Sequence, residues 1–315
     1  MYKNNDFIIA CERGNLEKVI ELATNINNNI QYEYGVIIAC KYGHLKIIKY
    51  LIELVGIKSD DNPSGINIHV NNEEAFRFAC VYGYLEILKY LIELVGVKSD
   101  DNLDGIDIHV NNEYAFIVAC ERGKIEIVKY LIELVDIKSY YNPNGINIHA
   151  GKEFAFIWAC INGQIEIVKY LIDLAGIKSD DNLNGIDIHI NNESAFTGVC
   201  RNKNLELIKY LIDLTGVKND DNLDGIDIHA NNESAFEQAC WNGNIEIIKY
   251  LIELVGIKSD TNPNGIDINI NNDYIFKNAC GSGNLKIAQF LAELDRKYIL
   301  IIKDNRIDYE INNFL

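Results

Sequence analysis

At 315 residues the chain carries 46 acidic against 29 basic side chains, a formal charge of −17. That balance argues against phosphate-backbone binding, whose affinity comes from clustered Lys and Arg, and against attraction to an anionic membrane. Hydrophobic residues make up 48% with only 3 Pro, enough for a continuous core and too many for a disordered chain. The polar start, Met1 to Asn5, reads as no signal peptide, and no run reaches the roughly 18 apolar residues that a membrane span requires.

Cys40, Cys80, Cys120, Cys160, Cys200, Cys240 and Cys280 recur every 40 residues, and Cys11 sits in the same motif one shortened repeat earlier. One supersecondary unit is therefore copied along the chain, and its core grows in one dimension. An enzyme site needs a unique constellation of groups, whereas a tandem array offers one surface many times over, which favours a binding scaffold. Equivalent positions in stacked helices lie roughly 8–10 Å apart, beyond the ~7 Å reach of a disulfide. The cysteines are expected to be small buried hydrophobes, in a reducing intracellular compartment.

In chain order, the first unit, Asn4–Ala23, reads as a short N-terminal cap, and the Cys40 unit follows it without a long loop. The unit Asn111–Ala150 stands for the rest. Asn111 or Asn112 is expected to cap a helix with Glu113 in its first turn. Ala115, Phe116, Ala119 and Cys120 form its apolar stripe, and Gly123 ends it in the left-handed region. A second helix turns Ile125, Val128, Leu131 and Ile132 to the core and Glu126, Lys129 and Glu133 to water. Tyr130 and its column are expected to pack on the next unit. A polar loop, Leu134 to Asn144, then leads through a turn and a short extended leg to the next cap. In the Cys200 unit Lys203 replaces the inter-helix glycine, at a cost on the order of 1 kcal/mol if it is left-handed. The tail, Tyr298 to Leu315, breaks the pattern and reads as a terminal cap.

The wording ACxxGxxEIVKYLI followed by GIDIHxNNE resembles an ankyrin repeat. Here AC replaces that family's Ala-Ala pair, Gly123 is its inter-helix glycine, and Gly105 to His109 its hairpin leg. The phrases DIHxNNExAF and KYLI are similar to ankyrin proteins of giant amoebal DNA viruses, and the wealth of Asn, Ile, Lys and Tyr fits an AT-rich genome. The resemblance covers about Asn5 to Asp295. It implies an all-α ankyrin-type solenoid of about eight helix-turn-helix repeats with short hairpin connections and long inserted loops. Residues 1–297 would form the single array, and 298–315 a cap or tail. It implies a non-enzymatic interaction scaffold that uses no cofactor and binds a protein partner, a host protein, in the host cytoplasm. The chain is expected to be a monomer that binds neither nucleic acid nor membrane. The family's Thr-Pro-Leu-His opening is absent; Tyr114-Ala115-Phe116-Ile117 stands there.

Catalytic motifs are missing: no Gly-rich phosphate loop, HExxH, CxxC or GxSxG occurs. The column His69, His109, His149, His189 and His229 reads as hydrogen bonding in the leg, since column neighbours stand too far apart to share a metal. Asp100, Asn102 and Asp104, and likewise Asp220, Asn222 and Asp224, match the first half of an EF-hand loop. The twelfth position, Asn111 or Asn231, then lacks the bidentate Glu. A calcium-tuned module is thus one alternative, and a structural particle component another. Variation among copies marks the surface that meets a partner. The residues just after each Cys and six before it vary, and in ankyrin-like stacks they lie on the concave groove. Tyr82, Tyr114, Arg122, Phe154, Ile161 and Trp241 are the candidate partner-binding set, because aromatics and Arg dominate binding hot spots.

Overall fold

A computed structural model of the chain describes residues 5–24, 29–136, 138, 142, 145–303 and 306–312. Most of the loop Leu134 to Asn144 lies outside them, as do the outermost ends of the two regions assigned above, 1–4 and 313–315. Helices come in pairs: α1 (Asn5–Glu12) with α2 (Leu16–Ala23), α3 (Asn29–Tyr42) with α4 (Leu45–Val55), α5 (Val70–Tyr82) with α6 (Leu85–Val95), and α7 (Val110–Glu121) with α8 (Ile125–Val135). Then follow α9 (Ala150–Ile161) with α10 (Ile165–Ala175), α11 (Ile190–Arg201) with α12 (Leu205–Thr215), α13 (Ala230–Trp241) with α14 (Ile245–Val255), and α15 (Ile270–Gly281) with α16 (Leu285–Leu294). The tail adds strands β1 (Tyr298–Lys303) and β2 (Arg306–Ile311), a hairpin that the helical reading did not assign.

Two compact units divide the chain, Met1–Ala155 and Phe156–Leu315, with the boundary inside α9. In the first, α1 packs on α3, α3 on α5 and α5 on α7. In the second, α11 packs on α13, α13 on α15, and the hairpin lies against α15 and α16. Each first helix buries the expected stripe: Ala115, Phe116, Ala119 and Cys120 are all fully buried. In the second helix Ile127 takes the core place expected of Ile125, which opens the helix and is half-buried. The buried stripe is therefore Ile127, Val128, Leu131 and Ile132.

From α5 onward, the start of each first helix departs from the cap expected of it. Asn111, Asn112 and Glu113 have φ of 55°, 58° and 63°, three successive left-handed residues, and the same turn recurs in the copies from Asn71 to Asp273. A left-handed residue other than glycine costs roughly 1–2 kcal/mol, least for Asn, whose short amide bonds locally. The paired Asn of the motif therefore serves backbone conformation rather than capping. In the one copy that reads Gly151-Lys152-Glu153, the Phe154 ring lies where a Cβ on residue 151 would stand.

The long loops are closed by one asparagine. Asn102 Nδ2 donates to the carbonyls of Val95 at 2.7 Å and Val97 at 3.1 Å, and Val97 bridges Ile106. The loop thus folds back beside the buried leg residues Ile106 and Ile108. Gly96, at φ 75°, leaves room for that amide, which would stand 2.7 Å from a Cβ there.

Lys203 is not left-handed. The preceding Asn202 swings to an extended conformation, φ −87° and ψ 153°, and its N–H bonds Val199 O at 2.9 Å. The strain expected at Lys203 is avoided by rerouting the turn. Asn244 of the following repeat steadies it, its Nδ2 reaching the carbonyls of Cys200, Arg201 and Asn202 at 3.2, 3.3 and 3.4 Å.

Candidate functional site

Two kinds of position stand out, the joints between repeats and the surface that carries the inter-helix turns. At the joints, the left-handed turn drives a carboxylate inward: Glu73, Glu113, Glu153, Glu193, Glu233 and Asp273 are all buried. The histidine four residues earlier donates Nδ1–H to Glu Oε1, at 2.9 Å for His69–Glu73 and 2.7 Å for His189–Glu193. The same oxygen accepts the backbone N–H of the residue 34 further on, as Asp107 to Glu73 and Asp227 to Glu193, both at 3.1 Å. The side chain of Asp107 then takes the N–H of His109 at 3.1 Å, which fixes the leg. The histidine column is thus hydrogen-bonded as expected, and its partner is the Glu expected in the helix first turn, which the structure buries.

These carboxylates hold His69, His189 and His229 protonated to higher pH than an ordinary histidine; the hydrogen bond to Glu is the largest cause and burial opposes it. Backbone bonding to Asp104, Asp224 and Asn264 of the next loop adds to it, as do the charges of Asp187 beside His189 and Asp227 beside His229. A folded pKa raised above the unfolded ~6.5 stabilises fully below that value and is lost as pH rises through the folded one. The thermal midpoint, followed by circular dichroism, should therefore fall as pH rises from about 6.5 toward 9, and the fall should shrink in His189→Gln. A midpoint that stays level over that range would contradict the protonated joint.

At the chain's end the joint has different partners. Asn269 and Asp273 replace His and Glu, and Tyr298 donates its hydroxyl to Asn269 Oδ1 at 2.6 Å and Asp273 Oδ1 at 2.9 Å. Lys297 Nζ pairs with Asp273 at 2.7 Å. The Tyr298 ring stacks on Phe276, centroids 4.0 Å apart, and Tyr309 meets Phe276 edge-on at 5.5 Å.

On the turn surface, Tyr82, Tyr114, Phe154 and Trp241 are 42, 40, 45 and 56% exposed. Arg122 is exposed and Ile161 half-buried. In the first unit, Tyr82 and Arg122 line one depression with Val81 and Lys124, and Arg77 lies over the Tyr114 ring at 5.5 Å. In the second, Trp241 shares a cleft with Tyr274 and Glu237, and Ile161 lines a depression with Arg201 and Lys203. Trp158, 40% exposed, was missed; its column two before Cys also varies, through Phe78, Val118, Gly198 and Gln238. For the Tyr column, expected on the next repeat, the contacts seen are with the preceding one: Lys49 lies over Tyr90 and Lys209 over Tyr250, at 5.1 and 5.4 Å.

In the acidic loops the Nδ2 groups of Asn102 and Asn222 donate to backbone carbonyls and clip the loop. Among the described residues no three His, Cys, Asp or Glu side chains gather as a metal set. The eight cysteines are buried free thiols, and burial pushes Cys11 up to about 12 and Cys280 up to about 11. Such thiols are poor nucleophiles. Among the described residues, no helix is long and apolar enough to cross a membrane.

Repeated helix pairs with left-handed inter-helix glycines and a leg between repeats define a repeat protein of the ankyrin type. The family model described as ankyrin repeats (3 copies) matches residues 7–102, 94–182 and 180–272, and the chain belongs to that family. No curated protein matches. Among solved structures, an ankyrin repeat family protein from Legionella pneumophila matches at 18% identity, covering 89% of this chain and 77% of that one, with a TM-score of 0.35. Ankyrin repeats are generally protein–protein interaction modules.

Proposed function

We propose that the chain is a non-enzymatic scaffold that binds a protein partner through its turn surface. The observation that carries this is the contrast between columns. The core and joint positions repeat almost unchanged, while the turn positions vary and expose Tyr82, Tyr114 and Phe154 in one unit and Trp241 in the other. Large aromatics left in water cost solvation free energy unless a partner covers them, and with Arg122 they are the residue types of binding hot spots. The tail, 298–315, is read as the closing cap of the array, because its Tyr298 supplies the last joint with a hydroxyl donor. The wording of the repeats resembles ankyrin proteins of giant amoebal DNA viruses, so a host cytoplasmic protein is the first partner to seek.

The test is affinity capture from host-cell lysate with wild type and Tyr114→Ser/Phe154→Ser side by side. A partner retained by wild type should fall at least about tenfold in the variant, the loss of two hot-spot residues at about 1 kcal/mol or more each, with helicity unchanged. Capture that survives the substitution, or helicity that falls with it, would mean these rings serve packing.

A further inference from the structure

The Cys200 repeat breaks the rules that its neighbours keep, and the breaks lie together in the second unit. Lys203 replaces the inter-helix glycine held by Gly163, Gly243 and Gly283 in the other turns of this unit. Gly198 stands in the middle of α11, in the column of Trp158, and Ile161 fills the space that a Cβ would need. Asn202 is extended where Asn242 and Ser282 are helical or nearly so. Local rules broken in an otherwise regular sequence mark functional or strained sites.

The result is an open depression of about 470 Å³ lined by Ile161, Asn162, Arg201, Asn202, Lys203 and Asn242. Within the turns 161–164, 201–204, 241–244 and 281–284 the only charged residues are Arg201 and Lys203, both positive, in a chain of net −17. Neither makes an ion pair among the described residues; the nearest acid in sequence, Glu206, is taken by Lys169 at 3.6 Å. The three carboxamides are held by the backbone, Asn202 to Ile161 O at 3.1 Å and Asn162 and Asn242 to the carbonyls of Trp158 and Gln238 at 2.9 Å. Each NH₂ keeps a second donor. Asn244 is buried beneath the turn and fixes it from the next repeat. Trp241, adjoining Asn242, is 56% exposed.

We infer that this depression, with the cations Arg201 and Lys203 and the amide donors of Asn162, Asn202 and Asn242, receives a carboxylate-rich segment of the protein partner. The inference rests on the turn-surface reading above and names the partner's chemistry. Two unpaired cations beside fixed amide donors suit carboxylates, and with no acidic side chain in the turns of this unit nothing there repels an anionic segment.

The full chain is titrated, at low ionic strength, with a fluorescein-labelled ten-residue glutamate peptide, a serine-glycine peptide and a ten-nucleotide thymidine oligomer, read by fluorescence anisotropy. Wild type should bind the glutamate peptide saturably and the serine-glycine peptide at least tenfold more weakly. Arg201→Gln/Lys203→Gly, which restores the glycine turn and so keeps the fold, should lose at least tenfold in affinity for the glutamate peptide. Lys203→Gln should lose part of it, at an unchanged thermal midpoint. No binding by wild type, equal binding by the double variant, or tighter binding of the oligonucleotide would overturn the inference. Its failure is separable from that of the scaffold reading: a partner lost by Tyr114→Ser/Phe154→Ser yet kept by Arg201→Gln/Lys203→Gly sinks the acidic segment alone. Glutamate-peptide binding with capture indifferent to the aromatics supports the depression and sinks the aromatic surface.

Discussion

Glu193→Ala should destabilise the second unit by about 3 kcal/mol, the low end of what breaking a buried ion pair costs. Glu193 is 4% exposed. Its Oε1 holds His189 and the N–H of Asp227 together, so truncation leaves the half-buried His189 ring and a backbone donor without their acceptor, and the ring then gives up its proton at lower pH. Two effects bear on the size of the loss. Glu193 Oε2 is buried without a hydrogen-bond partner, and removing it relieves that penalty. The left-handed φ of 64° remains strained for Ala, so no backbone relief follows; Glu193→Gly should recover roughly 1 kcal/mol of the loss. Glu193→Gln keeps an acceptor but not the charge and should fall between. Because repeat arrays sum local and nearest-neighbour terms, the loss should show as an earlier urea transition, with hydrogen exchange quickened in α11 and α13. An Ala variant within about 1 kcal/mol of wild type would show that the joint carries little of the repeat coupling, against the cost expected for a broken buried pair.

Deleting residues 297–315 is the second large perturbation. It strips Asp273 of its ion-pair partner Lys297 and of the Tyr298 hydroxyl, and uncovers the face of Phe276 that Tyr298 stacks on. Exposing one aromatic face costs about 1.5–3 kcal/mol, the stack about 1 kcal/mol, and the stranded carboxylate a further share. Together the loss should reach about 4 kcal/mol at the end of the array. It should appear as fraying of α15 and α16, with Cys280 opened to thiol reagents while Cys200 stays closed. A truncated chain whose Cys280 reacts no faster than before would show that the hairpin only rests on the array.

The helix pairs, their glycine turns and the buried Cys–Phe stripe were legible because each follows from a 3.6-residue period repeated in every unit. The variation among copies marked Tyr82, Arg122 and Trp241 as a candidate set but did not show that Tyr82 lines one depression with Arg122 or that Trp241 shares a cleft with Tyr274. Glu113 was misplaced for a physical reason. Its identity and spacing suit a helix first turn, and only the two residues before it, both able to adopt positive φ, hint that the chain reverses hand and carries the carboxylate inward. The double Asn was the available signal, and it reads equally well as a cap. The tail hairpin was hidden for another reason: Tyr298 to Ile302 is a short apolar run, and such a run is compatible with a helix or a strand until its pairing partner, Arg306 to Ile311, is recognised.

The bond from the buried Glu73, Glu113, Glu193 and Glu233 to the N–H 34 residues ahead restricts how such a gene can change length. Duplicating or excising one whole 40-residue period reproduces every joint, donor for acceptor, wherever the cut falls. Loss of any other number of residues between a Glu and its leg strands a charged oxygen in the core, unless the surface loop alone absorbs the change. The protein's tolerance to insertion and deletion is therefore stepped, and its copies should be gained and lost whole.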